Sequence, residues 1–208
     1  GKRVKTDRLD CKKLAHYYAK GLLTVVSPPD EIDESVRDLI RSRQFISDQI
    51  KAVKLHITSA CRRYGLNYRE STGKPNGNYW TGPHRAWLRL QLREIDLKAL
   101  KANLEMLLKS LEHLEAQLEF YDQEIEVWSY DEKYERKVKA LSCFRGIKPL
   151  RALTFITELG DIKRFSHPKQ LTSYAGLDIA EYSSGGKQLQ FHITKLGNKH
   201  VRTAAIAC

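Results

Sequence analysis

The stretch LKALKANLEMLLKSLEHLEAQLEFYDQEIEVW, residues 97–128, decides the fold. Apolar side chains recur in it every seven residues, in two interleaved series separated by charged residues. One series holds Leu97, Leu104, Leu111, Leu118 and Ile125, and the other holds Leu100, Leu107, Leu114, Tyr121 and Trp128. Five consecutive heptads predict a long coiled-coil helix whose apolar stripe serves packing and not catalysis.

A second long helix is predicted upstream, over residues 32–60. Pro28 and Pro29 interrupt the chain before it, and an acidic cluster follows that suits the first turn of a helix. The apolar positions recur at steps of three and four, with Arg43 in one of them: Ile32, Val36, Leu39, Ile46, Ile50, Val53, Ile57 and Ala60. Residues 64–86 are rich in Gly, Pro and Asn and predict a loop, with periodicity resuming at Trp87. The pattern leaves open whether the two long helices pair within one chain, between subunits, or both.

A short helix is predicted over residues 5–20, with Thr6 as its N-cap and Gly21 as its stop. Asp7 and Asp10 are three residues apart on it, so that their carboxylates project from one face and are able to share a divalent metal ion. The alternative is a solvated face on which both aspartates pair with neighbouring lysines and arginines.

Beyond residue 131 the pattern changes to short helical pieces separated by glycines. Phe144, Gly146 and Ile147, followed by an apolar helix, are typical of a helix-hairpin-helix element, which offers backbone N–H groups to a phosphate. Lys148 stands where such a hairpin usually has a second glycine. This region predicts a separate compact unit that binds nucleic acid.

Two polar segments of this unit carry the candidate chemistry. In EYSSGGK, Ser183 and Ser184 precede two glycines, a turn that either presents a hydroxyl or is an ordinary surface turn. ITKLGNKHVR offers amide and cationic groups that either clamp phosphates or simply cap a basic helix. The predicted nucleic-acid-binding residues are Lys148, Lys187, Lys195, Asn198, Lys199 and Arg202.

Composition and charge narrow the classes of function. The 208 residues carry a net charge of +11, and residues 133–208 hold 14 basic against 5 acidic groups, whereas residues 89–128 hold 5 against 9. This asymmetry favours a nucleic-acid partner over a domain that is basic for solubility alone. No apolar stretch approaches the length of a membrane span, which predicts a cytoplasmic protein. Four isolated cysteines argue against a disulfide framework and a zinc site.

Several motifs together resemble the DEDD transposases of bacterial insertion sequences, the bridge-RNA-guided serine recombinases that include the pilin-gene invertase. The matching segments are KTDRLD at 5–10 with KLA at 13–15, FRGIKPLRALTFITELGDIKRF at 144–165, LTSYAGLDIAEYSSGGK at 171–187 and ITKLGNKHVRTAA at 193–205. The resemblance implies a mainly α fold: a C-terminal remnant of an RNase H-like domain at 1–29, a long antiparallel coiled-coil connector at 30–130 with a loop at 64–86, and an incomplete, compact helical transposase domain at 131–208.

The same resemblance implies roles for individual residues and partners. Asp7 and Asp10 are expected to hold Mg²⁺, and Ser184, or as second choice Ser183, is expected to be the nucleophile that cuts and rejoins DNA. A guide RNA and a homo-oligomer formed through the coiled coil are the other expected partners. The family's opening strand with its aspartate, and a later glutamate, have no counterpart in these 208 residues, which predicts a chain truncated at both ends. The alternative is therefore an inactive remnant that acts only as a dimeric coiled-coil nucleic-acid-binding protein.

Overall fold

The computed structural model describes residues 6–23, 28–73, 76–184 and 187–208. The fold is mainly helical, as predicted, and divides into two compact units, Gly1–Asp30 and Glu31–Cys208. The helices are α1 Asp7–Ala19, α2 Glu31–Arg63, α3 Tyr68–Ser71, α4 Gly82–Glu94, α5 Lys98–Ser129, α6 Glu135–Ser142, α7 Pro149–Leu159, α8 Pro168–Ala175 and α9 Lys199–Ile206, with a 3-10 helix at Ile162–Arg164 and two strands, β1 Ile179–Ser184 and β2 Lys187–Ile193. Of the helices in the described ranges, none is both long and apolar enough to cross a membrane.

Helix α1 is the described helix of the first unit. It ends where Gly21 adopts a φ of 63°, a conformation that glycine tolerates at no steric cost, so the predicted stop is confirmed. Thr6 occupies the N-cap position, although its side chain makes no capping hydrogen bond. All residues of α1 are described and none of them is buried.

Helices α2 and α5 pack against each other in antiparallel directions within one chain. Their apolar stripes form one buried cluster with α4, so the structure shows the pairing within one chain that the sequence pattern left open. The cluster comprises Ile50, Ile57, Ala60, Cys61, Leu88, Leu92, Leu100, Leu104 and Leu111. Each leucine or isoleucine buried in this way contributes about 1.5–3 kcal/mol relative to an exposed one. Leu97, the first predicted heptad position, precedes α5 and is 58% exposed.

The boundaries predicted between the two long helices are wrong in one respect. The 64–86 segment was expected to be a loop, but it contains α3, and α4 begins at Gly82 rather than at Trp87. Pro83 lies in the first turn of α4, where its missing N–H has no cost. His84 is only 2% exposed and packs edge-on against Tyr68, Tyr79 and Trp80, so this polar-looking segment forms an aromatic cluster.

Helices α6 and α7 lie over the other end of the α2–α5 pair. A second buried cluster joins all four helices and consists of Val36, Ile40, Ile125, Tyr134, Val138, Ala152 and Leu153. The Tyr134 hydroxyl donates to Asp33 Oδ1 at 2.6 Å, which supplies the partner that a buried phenol requires. The packing of α2 therefore continues into the C-terminal helices.

The segment around the two serines forms a β-hairpin, whereas helical pieces joined by a turn were expected. β1 and β2 are antiparallel, and Ser183 pairs with Gln188 while Ser184 pairs with Lys187. The signal for β2 was present in the alternation of Leu189, Phe191 and Ile193 with polar residues, which is the period of two that a strand requires. The short length of this alternation hid it among the neighbouring helical patterns.

Candidate functional site

Both candidate nucleophiles lie at the end of strand β1, one strand of what we call the serine hairpin, residues 179–193. The structure places their backbone, and the hairpin register sets Ser184 opposite Lys187. The side chains of Ser183, Ser184 and Lys187, together with Gly185 and Gly186, lie outside the described residues. Their roles as nucleophile and phosphate ligand stay predictions.

The base of the serine hairpin is fixed by a close contact between two glycines. A Cβ added to Gly197 would lie 2.6 Å from the Gly176 nitrogen and closer still to the Tyr174 carbonyl oxygen. Gly176 ends α8 with a φ of 65°, and a Cβ there would lie 2.9 Å from the Leu196 nitrogen. Only glycine fits at either position, because the two backbones would otherwise have to separate. The glycines of YAGLD and KLGNK thus bring two distant segments together.

Backbone hydrogen bonds complete this anchor. The Thr194 N–H donates to the Asp178 carbonyl at 2.8 Å, and the Lys195 N–H donates to the Gly176 carbonyl at 3.0 Å. The Asp178 carboxylate also accepts from the hydroxyls of Thr172, at 3.0 Å, and Ser173. Strand β1 therefore begins, and strand β2 ends, beside the last turn of α8, which fixes the base of the hairpin.

A buried carboxylate lies beneath this anchor. Glu158, at the end of α7, is 3% exposed. Arg41 of α2 grips it with two hydrogen bonds, Nε to Oε1 at 2.8 Å and Nη2 to Oε2 at 3.0 Å. Asn198 Nδ2 donates to Oε2 at 2.7 Å, and the Tyr174 hydroxyl donates to the Glu158 carbonyl at 3.2 Å.

Electrostatics keep this carboxylate charged. Burial by itself raises the pKa of Glu158, but the hydrogen bonds from Arg41 and Asn198 outweigh it and hold the pKa below its ordinary value. The hydrogen bond to Glu158 likewise raises the pKa of Arg41. His200, on the next helix, has a lowered pKa, because burial outweighs its attraction to Glu158. The result is an ion pair with fixed geometry under the hairpin base.

The predicted phosphate-binding residues divide into two groups. Lys148, Lys195 and Lys199 are exposed, the first at the N-cap position of α7 and the last in the first turn of α9. Asn198 and Arg202 instead hold the protein together. Besides its bond to Glu158, Asn198 accepts from the backbone of α9, while Arg202 Nη1 donates to the Ala175 carbonyl at 2.8 Å. The three lysines are therefore the described members of the set that are open to a ligand.

The chain turns between helices α6 and α7, at the glycine of the predicted helix-hairpin-helix element. Gly146 adopts a φ of 91°, and a Cβ there would run into the carbonyl group of Cys208. Arg151 Nη1 donates to the Gly146 carbonyl at 2.6 Å and closes the turn. Phosphate binding at the start of α7 stays a prediction.

The predicted metal ligands lie in the first unit. Asp7 is exposed, and Asp10 forms an ion pair of 3.7 Å with Lys13 on the same helix. Within the described ranges, no group of three or more His, Cys, Asp or Glu side chains is placed to hold a metal ion. Two carboxylates on one helix are oxygen donors of the kind that Mg²⁺ prefers, and they fit part of such a site.

Comparison with known families adds to this geometry. Residues 138–208 match the transposase family described as IS116/IS110/IS902. The matching segment covers less than half of the chain. It begins within α6 and contains α7, α8, the serine hairpin and α9, so the transposase match covers the whole of the site built above except Arg41 and the first unit.

Three relatives that are named as transposases align with most or all of this chain. A putative transposase of Sinorhizobium fredii, y4qE, is 33% identical over 208 residues, which is 100% of this chain and 48% of the relative. The transposase for insertion sequence element IS1533 of Leptospira borgpetersenii is 28% identical over 79% of this chain and 47% of its own length. The transposase for IS1111A of Coxiella burnetii is 24% identical over 99% of this chain and 54% of its own. The chain spans about half the length of these relatives.

Sequence reasoning missed Glu158. The only signal was a carboxylate at the end of an otherwise apolar helix, immediately before Leu159 and Gly160. A negative charge is unfavourable at that end of a helix dipole, and this conflict indicates a compensating partner elsewhere in the fold. Its partner Arg41 is 117 residues away, a separation that no local pattern spans.

Proposed function

We propose that the protein containing this chain is the transposase of an insertion sequence and that it cuts and rejoins DNA through Ser184. The observation that carries the proposal is the match of residues 138–208 to a transposase family, in a segment where the backbone anchors a serine-containing hairpin. A hairpin with a fixed base suits a nucleophile, because attack requires the reacting atoms to be held within a narrow geometry.

In the proposed reaction the serine Oγ attacks a DNA phosphorus atom. A Ser–O–P bond forms, the scissile P–O bond of the DNA breaks, and the serine proton is transferred in net terms to the departing DNA oxygen, which leaves as a hydroxyl. A hydroxyl of a second DNA strand then attacks the phosphoserine, releases the serine and takes its place. Each cleaved bond is replaced by one of the same kind, so the exchange needs no external energy source.

Asp7 and Asp10 would hold Mg²⁺ in this scheme. Bound Mg²⁺ would stabilise negative charge on the reacting phosphate. The two aspartates offer two oxygen ligands, and the resemblance assigns further carboxylates to a preceding part of the protein. Lys148, Lys195 and Lys199 would bind the DNA or RNA backbone, since each carries an exposed cationic group. Guide RNA and assembly of two or more subunits through the long helices are proposed on the resemblance.

The test uses a chimera in which this chain replaces the matching 208 residues of the Sinorhizobium relative, which then supplies the rest of the protein. The chimera is incubated with nicked junction DNA, and covalent adducts are isolated under denaturing conditions. We expect a DNA-linked peptide that contains Ser184, loss of the adduct in Ser184→Ala, and retention in Ser183→Ala. Retained adduct in Ser184→Ala with loss in Ser183→Ala would move the nucleophile to Ser183, and an adduct unaffected by both would overturn the proposal.

A second candidate is a protein that only binds nucleic acid. The exposure of Lys148, Lys195 and Lys199 in a segment of strongly positive charge favours it. Such a protein would bind DNA or RNA with an affinity that falls steeply with salt, yet it would give no covalent adduct in the chimera. The adduct experiment therefore separates the two candidates.

A further inference from the structure

Glu158 connects elements that are distant in sequence. Its carboxylate receives Arg41 from α2 and Asn198 from the turn before α9, while its own backbone belongs to α7. Arg37, one turn before Arg41, donates to the neighbouring Thr157 carbonyl at 2.6 Å from Nη2 and 3.0 Å from Nε. Two arginines of α2 thus grip the end of α7, one through its backbone and one through the carboxylate.

The Glu158 carboxylate contributes to the orientation of the Asn198 amide. Nδ2 of Asn198 faces Glu158 Oε2 at 2.7 Å, and Oδ1 accepts from the N–H groups of His200 and Val201 at 2.9 and 3.0 Å. A flipped amide would turn an oxygen toward the carboxylate and an NH₂ toward two donors, losing all three bonds. Glu158 therefore fixes the N-cap of α9.

Asn198 is also the end of the turn that leaves the serine hairpin. Its backbone N–H donates to the Tyr174 carbonyl at 2.7 Å, and the same turn contains Gly197 and the Lys195 bond to the Gly176 carbonyl. Strand β2 ends at Ile193, directly before this turn. A connected series of bonds runs from α2 through Glu158 and Asn198 to the base of the hairpin.

We propose that Glu158 is a positioning residue for the serine hairpin: its buried carboxylate ties the 194–198 turn, and with it the strand that pairs with Ser184, to helix α2. The consequence for strand exchange rests on the proposed function, in which Ser184 is the nucleophile. The consequence for the hairpin itself does not, and the two are measured separately.

The first experiment measures backbone hydrogen exchange in the 208-residue chain. Glu158→Gln replaces two acceptor oxygens by one, so that at least one of the three side-chain bonds is lost. We expect amides 194–198 and the β1–β2 ladder to exchange at least about tenfold faster, while the buried α2–α5 seam around Leu111 stays protected. Asp122→Asn is the matched control, since it removes another arginine partner of α2, bound to Arg43, and should leave the hairpin unchanged. Unchanged hairpin exchange in Glu158→Gln would overturn the proposal.

The second experiment measures the rate of adduct formation in the chimera. A misplaced hairpin should lower the rate in Glu158→Gln by about tenfold or more at saturating DNA, with the half-saturating DNA concentration unchanged. Arg41→Lys keeps the positive charge and loses the two-pronged grip, so it should fall between the parent and Glu158→Gln. An unchanged rate beside faster exchange would overturn the positioning role in catalysis. Absence of any Ser184-dependent adduct in the parent chimera would count against the proposed function, and the exchange result would then decide the role of Glu158.

Discussion

His84 and Glu158 are both almost inaccessible to solvent, 2% and 3% exposed, and lie near the two ends of helix α2. His84 is surrounded by aromatic rings, and its Nδ1 accepts from the Trp80 N–H at 3.1 Å. Burial, with a smaller effect of nearby Arg85, lowers the pKa of His84 and so favours the neutral ring. Glu158 receives a guanidinium and an amide and stays charged. The contrast shows that the partner, and not the depth of burial, decides the charge state of a buried group.

The two side chains also differ in how far along the chain their partners lie. The His84 ring stacks on Trp87, and its hydrogen bond from Trp80 and its described ring contacts involve residues within 16 positions of it. The Glu158 carboxylate reaches residues 117 and 40 positions away. Changes at His84 should therefore act mainly near residues 68–87, whereas changes around Glu158 should reach both α2 and the turn at 194–198.

Removing the partner of Glu158 should give the largest effect. Arg41→Ala leaves a buried carboxylate with only the Asn198 bond, and we expect a loss of about 2–3 kcal/mol in the free energy of unfolding, measured by urea denaturation. A fully buried pair would cost about 3–5 kcal/mol, but the Arg41 side chain is 40% exposed and water can enter in its place. A loss below about 0.5 kcal/mol would show that the pair is solvated and would remove the contrast with His84.

Closing the space between the two glycines should come next. Gly197→Ala forces the turn away from the end of α8, and we expect it to lower the free energy of unfolding, measured by urea denaturation, by about 1–3 kcal/mol. Gly82→Ala at the start of α4, beside His84, is the control, because a Cβ there meets no atom within 4 Å. It should be neutral or slightly stabilising. Equal effects in the two variants would mean that the glycine contact does not restrain the hairpin.

Lowering the pH should distinguish His84 from Glu158, because their contributions to stability change in different pH ranges. The pKa of folded His84 is lowered from 6.5, so the unfolded chain binds more protons below that value and stability falls as the pH drops through about 6.5. The pKa of folded Glu158 is lowered from 4.5, so its contribution is present above that value and is lost only at lower pH. His84→Gln should abolish part of the slope near pH 6.5, at a cost of about 1 kcal/mol at pH 8 from lost ring contacts, and Glu158→Gln should flatten only the acidic limb.

His200 is a second histidine to substitute in that experiment. Its pKa is also lowered by burial, so it contributes to the same window as His84. Thermal unfolding followed by circular dichroism between pH 4 and 8 should show separate reductions of the slope in His84→Gln and His200→Gln. If neither variant changes the slope, both histidines titrate alike in the folded and unfolded chains and the assignment of a neutral His84 is wrong.

The sequence predicted the elements that follow from a repeating pattern of apolar side chains and missed features that depend on the surrounding fold. The α2–α5 pair follows from side chains such as Leu104 and Leu111, whose seven-residue spacing puts them on one face whatever surrounds them. The start of α4 was missed because Gly82 and Pro83 signal a turn in isolation, and the burial of His84 is apparent only in the folded chain. The Glu158 bonds, and the internal role of Asn198 where phosphate binding was expected, depend on contacts between distant segments that no local pattern contains.

Substitution of Arg43, which pairs with an exposed carboxylate, should have the smallest effect on stability. Arg43 occupies a seam position of α2 that the apolar pattern reserves for a hydrophobic residue, and the structure pairs it with Asp122 of α5 at 2.8 Å. Asp122 is 46% exposed, in contrast to Glu158, so the pair remains hydrated and contributes little. Arg43→Leu should therefore change the free energy of unfolding by less than about 1 kcal/mol in either direction, measured by urea denaturation beside Arg41→Ala. A loss as large as that of Arg41→Ala would mean that the Arg43–Asp122 and Arg41–Glu158 pairs contribute equally to the free energy of unfolding. Burial of the carboxylate would then not determine how much each pair contributes.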